Sequence, residues 1–289
     1  MSIKMLYKDR AEDDKNFIKK VCEDFLSAPA EIKKYDDSFA GIFVEGRDRG
    51  CCLEDLACLH SFDLHSAYNY PIFCFLHNRN FFKDALSEDE IKRKRIHIIE
   101  IPKIESLESY SKFCIEQLYF LLPNWVENVI TIQPDAMFLK SGWEDYINNS
   151  EADWLSPHWM HLASIEVFGK FTGNRWATLK VPPTQIGNGG FSFRKVSLMK
   201  KISSSFWAPD VFLQKERGRA DNRIPMEDLF YCFWGFASGI MRSPTLKQCD
   251  EFAKDPLTPE IYFSRNKPFG FHFFKEFSLP TTQPCIHLT

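Results

Sequence analysis

The chain has 289 residues, 44% of them hydrophobic and 26% charged, with a formal net charge of −3. That leaves room for one large domain or two small ones of ordinary globular composition, and it excludes a low-complexity chain. The nine cysteines are odd in number, form no C-x-x-C and include the adjacent Cys51 and Cys52, which fits a reducing compartment better than a disulfide framework. Phenylalanine is abundant at 28 residues, enough for a sizeable aromatic core. Met1 to Arg10 lacks the apolar centre of a signal peptide, and no apolar run approaches the length of a membrane span. A soluble, cytoplasmic protein is the expectation.

In chain order, residues 1–37 are charged and largely helical in pattern. Phe17, Ile18, Val21 and Phe25 recur at helical spacing behind Asp13 and Asp14, a suitable helix start. Ala40 to Glu45 is a short apolar run and predicts the first buried strand. Leu53 to Ala67 predicts a helix, Pro71 to Leu76 a second strand and Ile96 to Ile101 a third. Between them, Ser87-Glu88-Asp89-Glu90 is a capping-box pattern that starts a helix ending in Lys92-Arg93-Lys94-Arg95. These four bases would complement the helix dipole. They predict a solvated helix end rather than a nucleic-acid patch. Leu107 to Leu122 predicts an amphipathic helix, and Val129 to Gln133 a fourth strand. Strand alternating with helix is the signature of a mostly parallel sheet with helices on its faces.

The second half is less regular. Gly142 to Pro183 shows no clear period and is rich in tryptophan. Phe191 to Arg194 alternates like a strand, with a helix over Lys195 to Ile202. Residues 203–225 are polar and loop-like. Met226 to Ala237 predicts an aromatic-rich helix opening on Glu227-Asp228. Residues 238–268 look irregular, and Phe269 to Phe274 predicts a last strand.

Chemistry-bearing residues collect at two kinds of place. Arg47, His77, Asn78, Asn80 and Asp135 follow strands, where open α/β sheets bind ligands. Neither a G-x-G-x-x-G after the first strand nor a Walker A sequence is present. Then Gly187-Asn188-Gly189-Gly190 leads into the strand at Phe191. Glycine lets backbone approach a ligand closely, so the stretch suits either a flat wall against a cleft or a tight turn before a buried strand.

Four segments together resemble a family of glycosyltransferase-like proteins of the GT-A type, a domain of formerly unknown function (DUF5672). They are Val44-Glu45-Gly46-Arg47, Tyr70 to Asn80, Leu122 to Asp135 ending in Gln133-Pro134-Asp135, and Gly187 to Arg194. The resemblance covers about residues 38–275. It implies an α/β, GT-A-like (Rossmann-like) fold: a mixed, mostly parallel sheet with helices on both faces, in a single domain. Residues 1–37 would be a helical extension, 38–140 a nucleotide-binding half, 141–275 an acceptor half and 276–289 a tail. The wider GT-A group has Asp-x-Asp where this chain has Gln133-Pro134-Asp135. Trp154-Leu155-Ser156-Pro157-His158-Trp159 stands where the family tends to have Gly-Ala-Pro-Trp.

The resemblance implies a soluble, inverting glycosyltransferase moving a sugar from a UDP-sugar to a glycan acceptor. Asp228, beside Glu227, would be the catalytic base. Asp135 and His272 would hold manganese or magnesium at the diphosphate, with Gln133 nearby. Glu45, Arg47, His77 and Asn80 would hold the nucleotide, and Asn188, Gly189 and Gly190 would line the donor sugar. Trp154, Trp159 and Trp176 could stack on acceptor sugars. Two alternatives stay open: a retaining transferase or nucleotidyltransferase on the same fold, and an inactive glycan-binding module. No glycine-rich, lysine-bearing pyrophosphorylase loop follows the first strand, and the acid pair mildly favours inversion.

Overall fold

The computed structural model describes residues 16–29, 31–171, 175–187, 189–205, 211–216, 219–222, 226–255 and 257–272. A first helix, α1 (16–27), leads into β1 (Phe39–Glu45), α2 (Leu53–His65), β2 (Ile72–Leu76), α3 (Glu88–Arg93), β3 (Ile96–Glu100) and α4 (Leu107–Glu116). A single 3-10 turn (Leu118–Leu121) precedes β4 (Asn128–Ile132), β5 (Ala136–Phe138), α5 (Trp143–Ser150) and β6 (Trp154–Leu155). Then come β7 (His158–Phe171), β8 (Arg175–Ile186), β9 (Phe191–Lys195), α6 (Val196–Ser205), β10 (Val211–Glu216) and β11 (Arg219–Asn222). The described chain closes with α7 (Glu227–Ala237), α8 (Leu246–Phe252), β12 (Ala253–Lys254), α9 (Pro259–Tyr262) and β13 (Gly270–His272).

The central sheet has six strands in the order β3-β2-β1-β4-β9-β6. The first four are parallel, and β9 runs antiparallel to both β4 and β6. This is the mixed, mostly parallel α/β sheet that the alternating elements predicted. β1, β2 and β4 are largely apolar on both faces because helices cover both, whereas the edge strand β3 is mostly exposed. On β1, Phe39 and Phe43 join one core with β5, α2 and α5, while Ala40, Ile42 and Val44 join a second with α4, α6 and α7. The phenylalanines concentrate in the first core, where Phe39, Phe62 and Phe138 surround the fully buried Trp143.

Two regions expected to be irregular hold strands. β7 pairs antiparallel with β8, and β10 and β11 extend them into a four-stranded sheet. Pro182 and Pro183 lie in β8, where the register shifts between Ala163↔Thr184 and Ile165↔Val181. Proline cannot donate to the ladder, so a strand tolerates it at such an irregularity. The short strand β12 pairs with β13, and β13 with β5, in a third sheet.

The basic run after Ser87 is only partly the solvated helix end expected of it. Ser87 caps α3, but Lys94 is buried, donating to Asp63 at 2.9 Å and His60 Nδ1 at 3.1 Å. Arg95 donates to the carbonyls of Asp36 and Asn69. Both cations fasten the chain beside β1 rather than facing a partner. The eight described cysteines are all free. Among the described residues no helix is long and apolar enough to cross a membrane.

Candidate active site

Strand register explains how residues far apart in sequence meet. β5 begins at Ala136, so Asp135 stands at its edge. The β13–β5 pairing sets His272 opposite Ala136, next to that carboxylate. The β12–β13 pairing sets Lys254 opposite Phe271, and Asp255 follows. Asp135, His272 and Asp255 therefore stand side by side at one end of the three-stranded sheet. His272 Nε2 lies 3.7 Å from Asp135 and Nδ1 lies 3.8 Å from Asp255, close enough for charge attraction but too long for hydrogen bonds. Nε2 donates to Gln133 Oε1 at 3.1 Å, and Gln133 Nε2 donates to the Tyr110 hydroxyl at 3.2 Å. The buried Nδ1 has no hydrogen-bond partner among the described residues. Burial by itself would lower the His272 pKa, but Asp135 and Asp255 outweigh it and hold it above its ordinary value.

The glycine stretch passes directly over this histidine. The Gln133 N–H donates to the Gly190 carbonyl at 2.9 Å, extending the β4–β9 ladder one step beyond Ile132↔Phe191. A side chain at Gly190 would place its Cβ 2.0 Å from His272 Nε2. Only glycine admits that approach, so the stretch is a close-packed wall.

On the other side of the wall lies the acid pair that opens α7. The Gly189 N–H donates to Asp228 Oδ2 at 3.1 Å, and the Leu229 N–H to Oδ1 at 2.7 Å. Asp228 is half-buried, whereas Glu227 is buried. Burial and the neighbouring Glu227 push the Asp228 carboxyl up to about 7, against the two N–H bonds and Arg194, which favour its ionised form. Glu227 Oε1 instead accepts from Arg194 Nη2 at 3.1 Å. The two acids thus have different environments: Glu227 is paired inside the protein, and Asp228 is the group held in a protonatable state near neutrality.

The residues proposed for the nucleotide lie along the carboxyl edge of β1 and β2. Glu45 is buried and accepts from Arg47 N at 2.9 Å, Arg47 Nε at 2.7 Å and Arg49 Nε at 2.7 Å. Arg49 also forks onto the fully buried Asp55 at the start of α2, at 2.6 and 2.9 Å. Burial would raise the Glu45 pKa, but the two guanidinium groups hold it below the usual carboxylate range. Glu45 therefore holds Arg47 and Arg49 in place at this edge. His77 is half-buried. Its N–H continues the sheet to Glu45 O at 3.0 Å, and its Nδ1 donates to Ile101 O at 3.3 Å. Asn80 is exposed in the loop that follows, its N–H donating to Asn78 Oδ1. This group is linked to the glycine wall through α2, whose Cys58 thiol donates to Gln133 O at 3.2 Å.

Trp154 does not line a sugar site. It is fully buried, its indole N–H donates to Ser156 Oγ at 3.0 Å, and its ring carries the Arg194 guanidinium at 4.2 Å. Trp159 and Trp176 belong to β7 and β8, and their side chains lie outside the described residues, as does Asn188. Sequence reasoning gave no role to Arg49, Asp55, Tyr110, Arg194 or Asp255. Arg194 stood within the glycine-stretch motif. Asp255 had no local signal, because the pairing of two very short strands alone brings it to His272.

The fold and this cluster define an α/β protein with acidic side chains and a histidine packed against a glycine stretch at the carboxyl end of β4. Residues 93–272 match the model of a family described as "Protein of unknown function (DUF5672)", and the chain belongs to that family. No curated protein matches it. Among solved structures it is similar to S. aureus TarS 1–349 in complex with UDP-GlcNAc, at 10% identity and a TM-score of 0.38, over 67% of this chain and 52% of that one. It is also similar to HddC from Yersinia pseudotuberculosis, at 12% identity and a TM-score of 0.32, over 57% of this chain and 79% of that one. Likeness this distant says nothing about activity.

Proposed function

We propose that the chain is a glycosyltransferase that moves a sugar from a nucleotide sugar, UDP-linked, to a glycan hydroxyl with inversion. The observation that carries this reading is Asp228: a half-buried carboxylate raised to about 7, fixed by two backbone N–H groups against a glycine wall. In the proposed reaction the acceptor oxygen attacks the anomeric carbon as the bond to the diphosphate breaks. The hydroxyl proton passes to Asp228. A base with a pKa near the operating pH suits that transfer. The guanidinium groups of Arg47 and Arg49, aimed by Glu45 and Asp55, are suited to phosphate or a base edge.

Among the described residues no three His, Cys, Asp or Glu side chains converge on one metal position. Asp135 and His272 Nε2, with Gln133 Oε1 beside them, offer a sparse set of O and N donors at a shared edge. Asp135, and His272 if Nε2 lost its proton, would be the residues to hold manganese or magnesium, and such a cation would offset the charge on the leaving group. For this chain's own part, Asp135 and Asp255 favour the protonated form of His272, whose Nε2–H Gln133 accepts, so a metal at Nε2 would have to displace that proton.

The test is a thermal-shift screen of nucleotides and nucleotide sugars, each with manganese, magnesium or EDTA. A ligand that binds only the folded state at a hundredfold excess over its Kd stabilises by about 2.7 kcal/mol. The reading expects a shift with UDP and UDP-sugars that manganese enlarges, followed by transfer or donor hydrolysis. No shift with any nucleotide would overturn it and favour a glycan-binding module.

A further inference from the structure

Arg194 is a fully buried, densely hydrogen-bonded charge, and the proposed chemistry makes no direct use of it. It lies on β9 beneath the glycine wall, fully buried. Its Nε donates to Ser192 Oγ at 2.8 Å, Nη1 to the Tyr119 hydroxyl at 2.8 Å, and Nη2 to both Gly189 O at 2.8 Å and Glu227 Oε1 at 3.1 Å. Its face rests on Trp154. A buried guanidinium is tolerated only when paired and hydrogen-bonded, and here four of its five N–H groups are used.

Two of those partners flank the candidate base. Gly189 gives its carbonyl to Arg194 and its N–H to Asp228, so the guanidinium anchors, from the peptide that follows, the residue whose N–H Asp228 accepts. Glu227 precedes Asp228, so the same guanidinium also fixes the first turn of α7. We propose that Arg194 is a positioning residue that locks the Gly189 N–H onto the Asp228 carboxylate by gripping both the glycine wall and the start of α7. Its catalytic consequence rests on Asp228 being the base; the locking itself does not. A lysine would not replace it, since one ammonium lacks the planar fork that spans these partners.

Asn188-Gly189 is the one Asn-Gly pair in the sequence. Labelling asparagine carbonyls with 13C and glycine amides with 15N therefore isolates the Gly189 amide by NMR in the full chain. In the wild type its shift should follow the ionisation of Asp228, and Asp228→Asn should abolish that response. The response should persist in Glu227→Gln and be lost in Arg194→Lys and in Arg194→Met/Glu227→Gln. The double variant removes both buried charges together and so preserves folding better. Transfer by the double variant should fall about a hundredfold in kcat with the donor KM unchanged, as expected of a misplaced catalytic group. Persistence of the response in a folded double variant, its absence in the wild type, or loss of folding in both Arg194 variants would overturn the proposal. If the response behaves as expected but the wild type transfers no sugar, the positioning role stands and the transferase reading fails.

Discussion

Asp228→Asn should make this protein more stable at alkaline pH while abolishing transfer. Asp228 rises from an ordinary 3.8 to about 7 in the folded state, first through burial and then through Glu227. Between those values the folded chain holds a proton that the unfolded chain has released, so stability falls as pH rises through that window. At about 1.4 kcal/mol per pH unit, the full rise corresponds to roughly 4 kcal/mol lost above pH 7. Water reaching the half-buried carboxylate reduces this to roughly 2 kcal/mol. Asparagine removes the charge but offers one oxygen to two N–H donors, and a lost hydrogen bond costs about 1 kcal/mol. The net expectation is a gain of about 1 kcal/mol at pH 8 and a small loss at pH 4. Urea unfolding of both proteins across that range checks it, with nucleotide-sugar binding measured in parallel and expected to survive. A variant less stable than wild type by the same amount at every pH would refute the reasoning, because the carboxyl would then titrate alike in the folded and unfolded chains.

Gly190→Ala would set a Cβ 2.0 Å from His272 Nε2. Overpacking of this kind costs about 1–3 kcal/mol, read as a lower thermal midpoint. His272→Ala in the same chain should restore most of that loss, and additive losses in the double-mutant cycle would show that the two do not touch. Asp135→Ala should weaken UDP-sugar binding in manganese and leave it unchanged in EDTA; equal affinities for wild type and variant in manganese would remove Asp135 from any metal position.

The parallel half of the fold was legible because its strands and helices alternate with clear apolar periods. β1, β2, β3 and β4 fall within a residue or two of their expected limits. The second half was legible only in part: β9, α6, α7 and β13 lie near where they were expected, whereas β7, β8, β10, β11 and β12 were not foreseen, for identifiable physical reasons. β8 contains Pro182-Pro183, which argues against a strand until the register shift is seen. β12 has two residues, too short for any period to show. The site divides along the same line. Asp135, Gly189, Gly190, Asp228 and His272, named from the sequence, do come together in space. Trp154 was misread because a residue type that suits a ligand also suits the packing beneath one. Nothing in the sequence says that a carboxylate will face arginines of its own chain, or that an indole will carry a guanidinium.

Glu227 and Asp228 show what the structure adds. Two adjacent acids at a helix start are ordinary in sequence, since the dipole favours both. What separates them is which face of α7 each meets. Glu227 turns inward to a fully buried arginine, so its charge is balanced inside the protein. Asp228 accepts from backbone N–H groups, and burial with the like charge beside it outweighs these bonds and the more distant pull of Arg194, which leaves it costly to ionise. Such a group is a stability burden unless a proton must be taken up there, which is why the sign of the Asp228→Asn effect above pH 7 discriminates a catalytic acid pair from a helix cap. A cap residue would lose stability when its charge is removed; a base held in reserve would gain it.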